Sequence, residues 1–86
     1  MKAHGYTLDV LARRVAEIFD VTPEEILSPG RYKKRVQARS VYSYWGVREL
    51  GETASNIAKR IGISQPAVSQ SVERGERIVK EMGLEL

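Results

Sequence analysis

The sequence predicts a small all-α domain of four to five helices that contains a helix-turn-helix. Three observations predict it. From Thr53 to Glu73 the chain reads as two short amphipathic helices around a glycine turn, with Ala58, Gly62 and Val68 spaced four and then six residues apart. Upstream, apolar residues recur at intervals of about three, four and seven, the period of helices and not the alternation of strands. The chain has 86 residues, one domain able to bury about 60 to 65 percent of its unfolded surface, with no room for a second, catalytic domain.

The first helix is expected to follow Thr7 for about three turns. Leu8, Leu11, Ala12, Val15, Ile18 and Phe19 lie on its apolar face, and Arg13, Arg14 and Glu17 on its polar face. Thr22-Pro23-Glu24-Glu25 then combines an N-cap, a first-turn proline and a glutamate three residues after the cap. This capping box starts a short helix through Ile26 and Leu27. Ser28-Pro29-Gly30 stops it, which leaves Arg31 to Arg35 as a basic loop. A third helix runs from about Val36 to Leu50, is ended by Gly51, and buries Ala38, Val41, Tyr42 and Trp45. Trp45 and the tyrosines, at helical spacing, are expected in the core or at its rim.

In the next helix Ile57, Ala58 and Ile61 share one face, Lys59 and Arg60 the other, and Thr53 is the N-cap. Gly62 supplies the left-handed backbone of a sharp turn, Ala58 is small where the helices cross, and Val68 plugs between them. Ser64 caps the last helix, and Pro66 lies close enough behind it that its missing N–H costs nothing. Val68, Val72 and Val79 form the buried side, with Gly75 at a crossing or a kink. That leaves Gln65, Pro66, Ser69, Gln70 and Glu73 facing outward, and with Ser64 and Arg74 they are the candidate DNA contacts of this helix. Gln pairs with both the donor and the acceptor of adenine in the major groove, Ser bonds base edges or phosphates, and Glu accepts from cytosine.

Net charge is only +3, but its distribution is uneven. Residues 31–48 carry six cations, Arg31, Lys33, Lys34, Arg35, Arg39 and Arg48, and no anion, whereas the flanking segments are slightly acidic. A basic segment beside a helix-turn-helix is the electrostatic footprint of phosphate contact. The chain has no cysteine, hence no disulfide frame and no thiolate metal site, and no apolar run long enough to span a membrane. It is expected to be soluble and cytoplasmic. His4 is the only histidine, and neither a paired-carboxylate nor a Ser/His arrangement stands out, so no catalysis, metal, cofactor or small-molecule substrate is expected.

A family resemblance covers most of the chain. Val15-Ala16-Glu17-Ile18-Phe19, Ile26-Leu27-Ser28, the basic run from Arg31 to Arg35, Ala38-Arg39-Ser40-Val41, Arg48-Glu49-Leu50 and the helix-turn-helix together resemble, in order and rough spacing, the C-terminal domain of the bacterial replication initiator DnaA. That family has a Trp-repressor-like fold and binds double-stranded DNA, and a similar domain ends some REP-associated tyrosine transposases. The resemblance implies that Arg31, Lys33, Lys34 and Arg35 hold phosphates or reach a minor groove, and that Arg39 faces DNA. Where DnaA proteins carry Asp-His-Thr-Thr-Val at the start of the recognition helix, this chain has Ser64-Gln65-Pro66-Ala67-Val68. The base-reading side chains are replaced, so the resemblance carries the scaffold and the phosphate-contacting role, not the family's target sequence. No Gly-Lys-Ser/Thr nucleotide loop occurs either, which makes the chain a stand-alone relative or a fragment, not a complete ATP-driven initiator.

The sequence therefore points to non-catalytic duplex DNA binding, in a transposase-related or regulatory setting. A protein-interaction module that uses the same helices is the alternative. Target sequence and oligomeric state stay open, with a homodimer among the arrangements the scaffold allows.

Overall fold

A computed structural model describes residues 7–27 and 32–86, and among them the chain is all helical, as expected. The first helix, α1 (Leu8–Phe19), starts where the Thr7 hydroxyl oxygen accepts from the Val10 N–H at 3.2 Å. It stops at Asp20, whose left-handed backbone lets its N–H donate to the Ala16 carbonyl. Its buried stripe is Leu8, Leu11, Ala12, Val15, Ala16 and Phe19. Ala16 is buried as well, and Ile18 is only half-buried, packed against the core.

The capping box of α2 (Pro23–Ile26) forms as predicted. The Thr22 hydroxyl oxygen accepts from the Glu25 N–H at 3.1 Å, and Glu25 Oε1 accepts from the Thr22 N–H at 2.9 Å. The Ser28-Pro29-Gly30 stop and Arg31 lie outside the described residues.

The third helix corrects the sequence reading. Instead of beginning near Val36 after a basic loop, α3 (Lys33–Arg48) begins inside the basic run, so Lys33, Lys34 and Arg35 form its first turn. Lys and Arg are good helix formers, and the Val36 N–H donates to the Tyr32 carbonyl at 2.9 Å, closing the turn at once. The helix ends at Arg48, two residues before the expected Leu50.

Central position explains the pattern of α3. It lies against α1, α2, α4 and α5, most extensively α5. Ala38, Val41, Tyr42 and Trp45 are buried as expected, and so are Ser40, Ser43 and Gly46. The two serines tolerate burial because their hydroxyls donate to the carbonyls of Val36 and Arg39, each at 2.8 Å.

The last two helices are α4 (Ala54–Ile61) and α5 (Gln65–Met82), joined by Gly62, Ile63 and Ser64. Thr53 caps α4 by accepting from the Asn56 N–H at 3.1 Å. Gly62 takes the left-handed conformation with φ 83° and donates its N–H to the Ala58 carbonyl. Ser64 caps α5 through the Ala67 N–H at 3.3 Å, with Pro66 in the first turn. Ile57, Ala58, Ile61, Val68 and Val72 join Leu11, Val15, Val41, Tyr42 and Trp45 in one core.

Helix α5 runs unbroken through Gly75, which is buried against Ser40 of α3 and therefore marks a close crossing, not a kink. Val79 is only half-buried, and beyond the helix Leu84 and Leu86 pack on the core while Met82 is exposed. No helix among the described residues is long and apolar enough to cross a membrane.

Candidate nucleic-acid interface

With Val68, Ser71, Val72 and Gly75 turned inward, the helical period forces Gln65, Pro66, Ser69, Gln70, Glu73 and Arg74 outward, and all six are exposed. They form two adjacent rows at four-residue steps, Gln65-Ser69-Glu73 and Pro66-Gln70-Arg74. Among the described residues, the side chains of Gln65, Ser69, Gln70 and Glu73 form no hydrogen bond or ion pair. Ser64 is also exposed, with its oxygen engaged in the cap.

The row from Pro66 ends beside a second cation. Arg39 of α3 is half-buried, and its pKa is lowered first by that burial and then by the charge of Arg74. The helix crossing thus brings together two of the cations named from the sequence. The other row ends on a groove of about 250 Å³ lined by Val47, Arg48, Ala54, Ser69, Val72 and Glu73. Arg48 belonged to the basic surplus in the sequence but was not assigned to the surface it lines.

The start of α3 holds the remaining cations. Lys33 and Lys34 are exposed, and the first turn contains no acidic residue and no side-chain cap. Cations at the positive end of a helix dipole are unfavourable by about 0.3 to 1 kcal/mol each. An anion in contact with that turn relieves the penalty.

Arg35 departs from the sequence expectation. Its Nε donates to Glu25 Oε2 at 2.9 Å and its Nη2 lies 2.6 Å from the same oxygen, so the side chain is engaged in tying α3 to α2. Glu25 is held below the ordinary glutamate pKa chiefly by the Thr22 N–H; desolvation opposes this, and the hydrogen bond and charge of Arg35 add to the lowering. The Arg35 guanidinium also sits over the Tyr32 ring, 4.9 Å from its centroid. Tyr32 itself is 72% exposed, which corrects the expectation that the tyrosines lie in or around the core. Arg31 lies outside the described residues, as does His4.

Arg60 of α4 pairs with Asp9 of α1. Burial pushes the Tyr42 hydroxyl above the ordinary tyrosine pKa, opposed by the nearby Arg60 charge. Among the described residues no cluster of His, Cys, Asp and Glu is arranged to hold a metal ion.

These features define a small all-α domain with an unpartnered polar helix face set beside several cations. Over 67 residues the chain is 33% identical to the chromosomal replication initiator protein DnaA of Thermosipho africanus, a match that covers 78% of this chain and 15% of that protein. DnaA of Thermotoga petrophila is 36% identical over 67 residues, and that of Pseudothermotoga lettingae 32% over 68, with 15% of each relative covered. The chain therefore spans about 15% of the length of the curated relatives it matches. No family model and no solved structure matches it.

Proposed function

We propose that this chain binds duplex DNA without catalysing a reaction on it, as a domain like the C-terminal domain of DnaA. In this reading α4 and α5 are a helix-turn-helix, and the start of α5 enters the major groove. Gln65, Ser69, Gln70 and Glu73 face base edges, with Ser64 and Pro66 at the point of entry. Lys33 and Lys34 contact phosphates from the first turn of α3, assisted by Arg31, and Arg39 and Arg74 hold a phosphate beside the reading face. Arg35 positions that turn through Glu25, leaving direct phosphate contact to its neighbours. The domain serves a regulatory or transposase-related protein, and binds one site singly or paired half-sites as a dimer.

The observation that carries this reading is the pair of polar rows on α5: among the described residues Gln65, Ser69, Gln70 and Glu73 make no side-chain hydrogen bond, one row reaches Arg74 near Arg39, and the other reaches the groove that Arg48 lines. The charge of Arg74 disfavours the charge of Arg39, and a phosphate placed beside the two is attracted by both. Likeness to a family of replication initiators supports the same conclusion.

A salt series tests it. With four phosphate contacts from Lys33, Lys34, Arg39 and Arg74, log affinity for duplex DNA falls with log salt at a slope of about −3 to −4. A flat dependence contradicts phosphate contact.

A further inference from the structure

The geometry points to Tyr32 as an aromatic contact residue of the proposed interface, one that packs its open ring face against a flat, weakly polar surface of a nucleotide. The inference rests on the reading above and adds to it a contact that carries no charge.

Four observations lead there. First, Tyr32 is the most exposed of the large hydrophobic residues described, at 72%, against 38% for Val10 and 52% for Met82. Second, the ring is held in place: Thr22 and Glu25 lock each other in the capping box, Glu25 fixes Arg35, and the Arg35 guanidinium lies over one face of Tyr32. A guanidinium stacked on an aromatic face is attractive by electrostatics and restricts the ring. Third, the Arg35 guanidinium lies over one face of the ring, and the residue still keeps most of its surface exposed. Fourth, Tyr32 precedes Lys33 and Lys34 and lines with them a shallow groove of about 450 Å³, whose other walls are Asp20, Val21, Glu25 and Arg35.

Packing does not explain an aromatic held in water, and capping does not either, since Tyr32 is the N-cap of α3 yet forms no side-chain cap bond. A ring next to two phosphate-seeking lysines has a natural occupant in the nucleotide whose phosphate those lysines hold. Aromatic side chains stack on nucleotides without regard to sequence, because every base has a π face and every sugar an apolar one. Base and sugar therefore present the same chemistry to the ring. In an intact duplex the reachable surface is the deoxyribose, and at a junction or an unpaired position it is an unstacked base.

The test compares the full chain with its Tyr32→Ala and Tyr32→Phe variants, using a paired duplex and the same duplex with one unpaired base at each position in turn. Tyr32→Ala is expected to weaken binding about five- to thirty-fold with the salt slope unchanged, and Tyr32→Phe to bind within about two-fold of the parent. Equal loss on both DNAs assigns the contact to the sugar, and a larger loss on a DNA with an unpaired base assigns it to that base. Equal binding by Tyr32→Ala and the parent overturns the inference and leaves the DNA-binding reading intact. Failure of the parent chain to bind either DNA overturns both. A thermal melt of Tyr32→Ala matching that of the parent is expected, and a large drop instead assigns Tyr32 a structural role and also overturns the inference.

Discussion

Gly75 of α5 packs so closely on Ser40 of α3 that a Cβ placed on the glycine would lie 2.1 Å from the Ser40 carbonyl oxygen and 2.6 Å from its carbonyl carbon. Backbone fills that space, not a side chain that can turn away, and Tyr44 Cβ stands 2.8 Å off on another side. This contact sets how near the two helices come, and with it how near Arg74 comes to Arg39.

Gly75→Ala is therefore expected to destabilise the domain by about 3 kcal/mol, overpacking outweighing the roughly 1 kcal/mol that alanine gains over glycine in a helix. Gly46→Ala is the contrast. Its Cβ would crowd Ile57 Cδ1, at 2.8 Å, and meet Leu8 Cδ2 at an ordinary 3.5 Å, side-chain ends and not backbone, so the cost is about 1 kcal/mol. Urea unfolding of both variants checks this, and equal losses contradict it.

The two kinds of cation at the start of α3 separate by salt dependence. Lys34→Ala is expected to weaken binding to all duplexes alike and to reduce the salt slope by about 1. Arg35→Ala, because its guanidinium is tied to Glu25, is expected to lower thermal stability while leaving the slope nearly unchanged. A slope change from Arg35 as large as that from Lys34 contradicts the assignment.

Base reading is expected from the exposed rows of α5. Gln65→Ala or Gln70→Ala should relax preference at one base position by about 1 to 3 kcal/mol. Selection from random duplexes with each variant measures it. Uniform losses at every position show that these side chains do not read bases.

Glu25 gives a pH dependence of definite sign. Its folded pKa is depressed, so the stability it contributes is present above the pKa of the unfolded chain and is lost as pH falls through the folded value. Glu25→Gln should accordingly be less stable than the parent near neutral pH, and the gap should close in acid. A gap that stays constant down to strongly acidic pH shows that the charge of Glu25 contributes nothing.

Much of this was legible in the sequence, for local reasons. Caps at Thr22, Thr53 and Ser64, and the left-handed turn at Gly62, depend on residues within one turn of each other, and all formed where the residue types placed them. The outward face of α5 followed from helical period alone. The start of α3 was not legible, because a run of cations after Ser-Pro-Gly carries the local signature of a loop. What holds it as helix is remote: the Glu25 pair ten residues back and the packing of α3 among its neighbours. For the same reason the sequence could not separate the engaged Arg35 from the exposed Lys33 and Lys34. Exposure of Tyr32 was likewise hidden, since spacing marks a tyrosine as apolar but not whether a partner surface covers it.

The central claim is that the start of α5 and the start of α3 meet one and the same duplex. A backbone amide titration with duplex DNA tests it most directly, following residues 64–70 and 32–39 together. The expected result is that both segments shift in parallel, with a single midpoint that moves to weaker binding as salt rises. Shifts confined to one segment, or no shifts with DNA while a protein partner perturbs the α5 face, would contradict it.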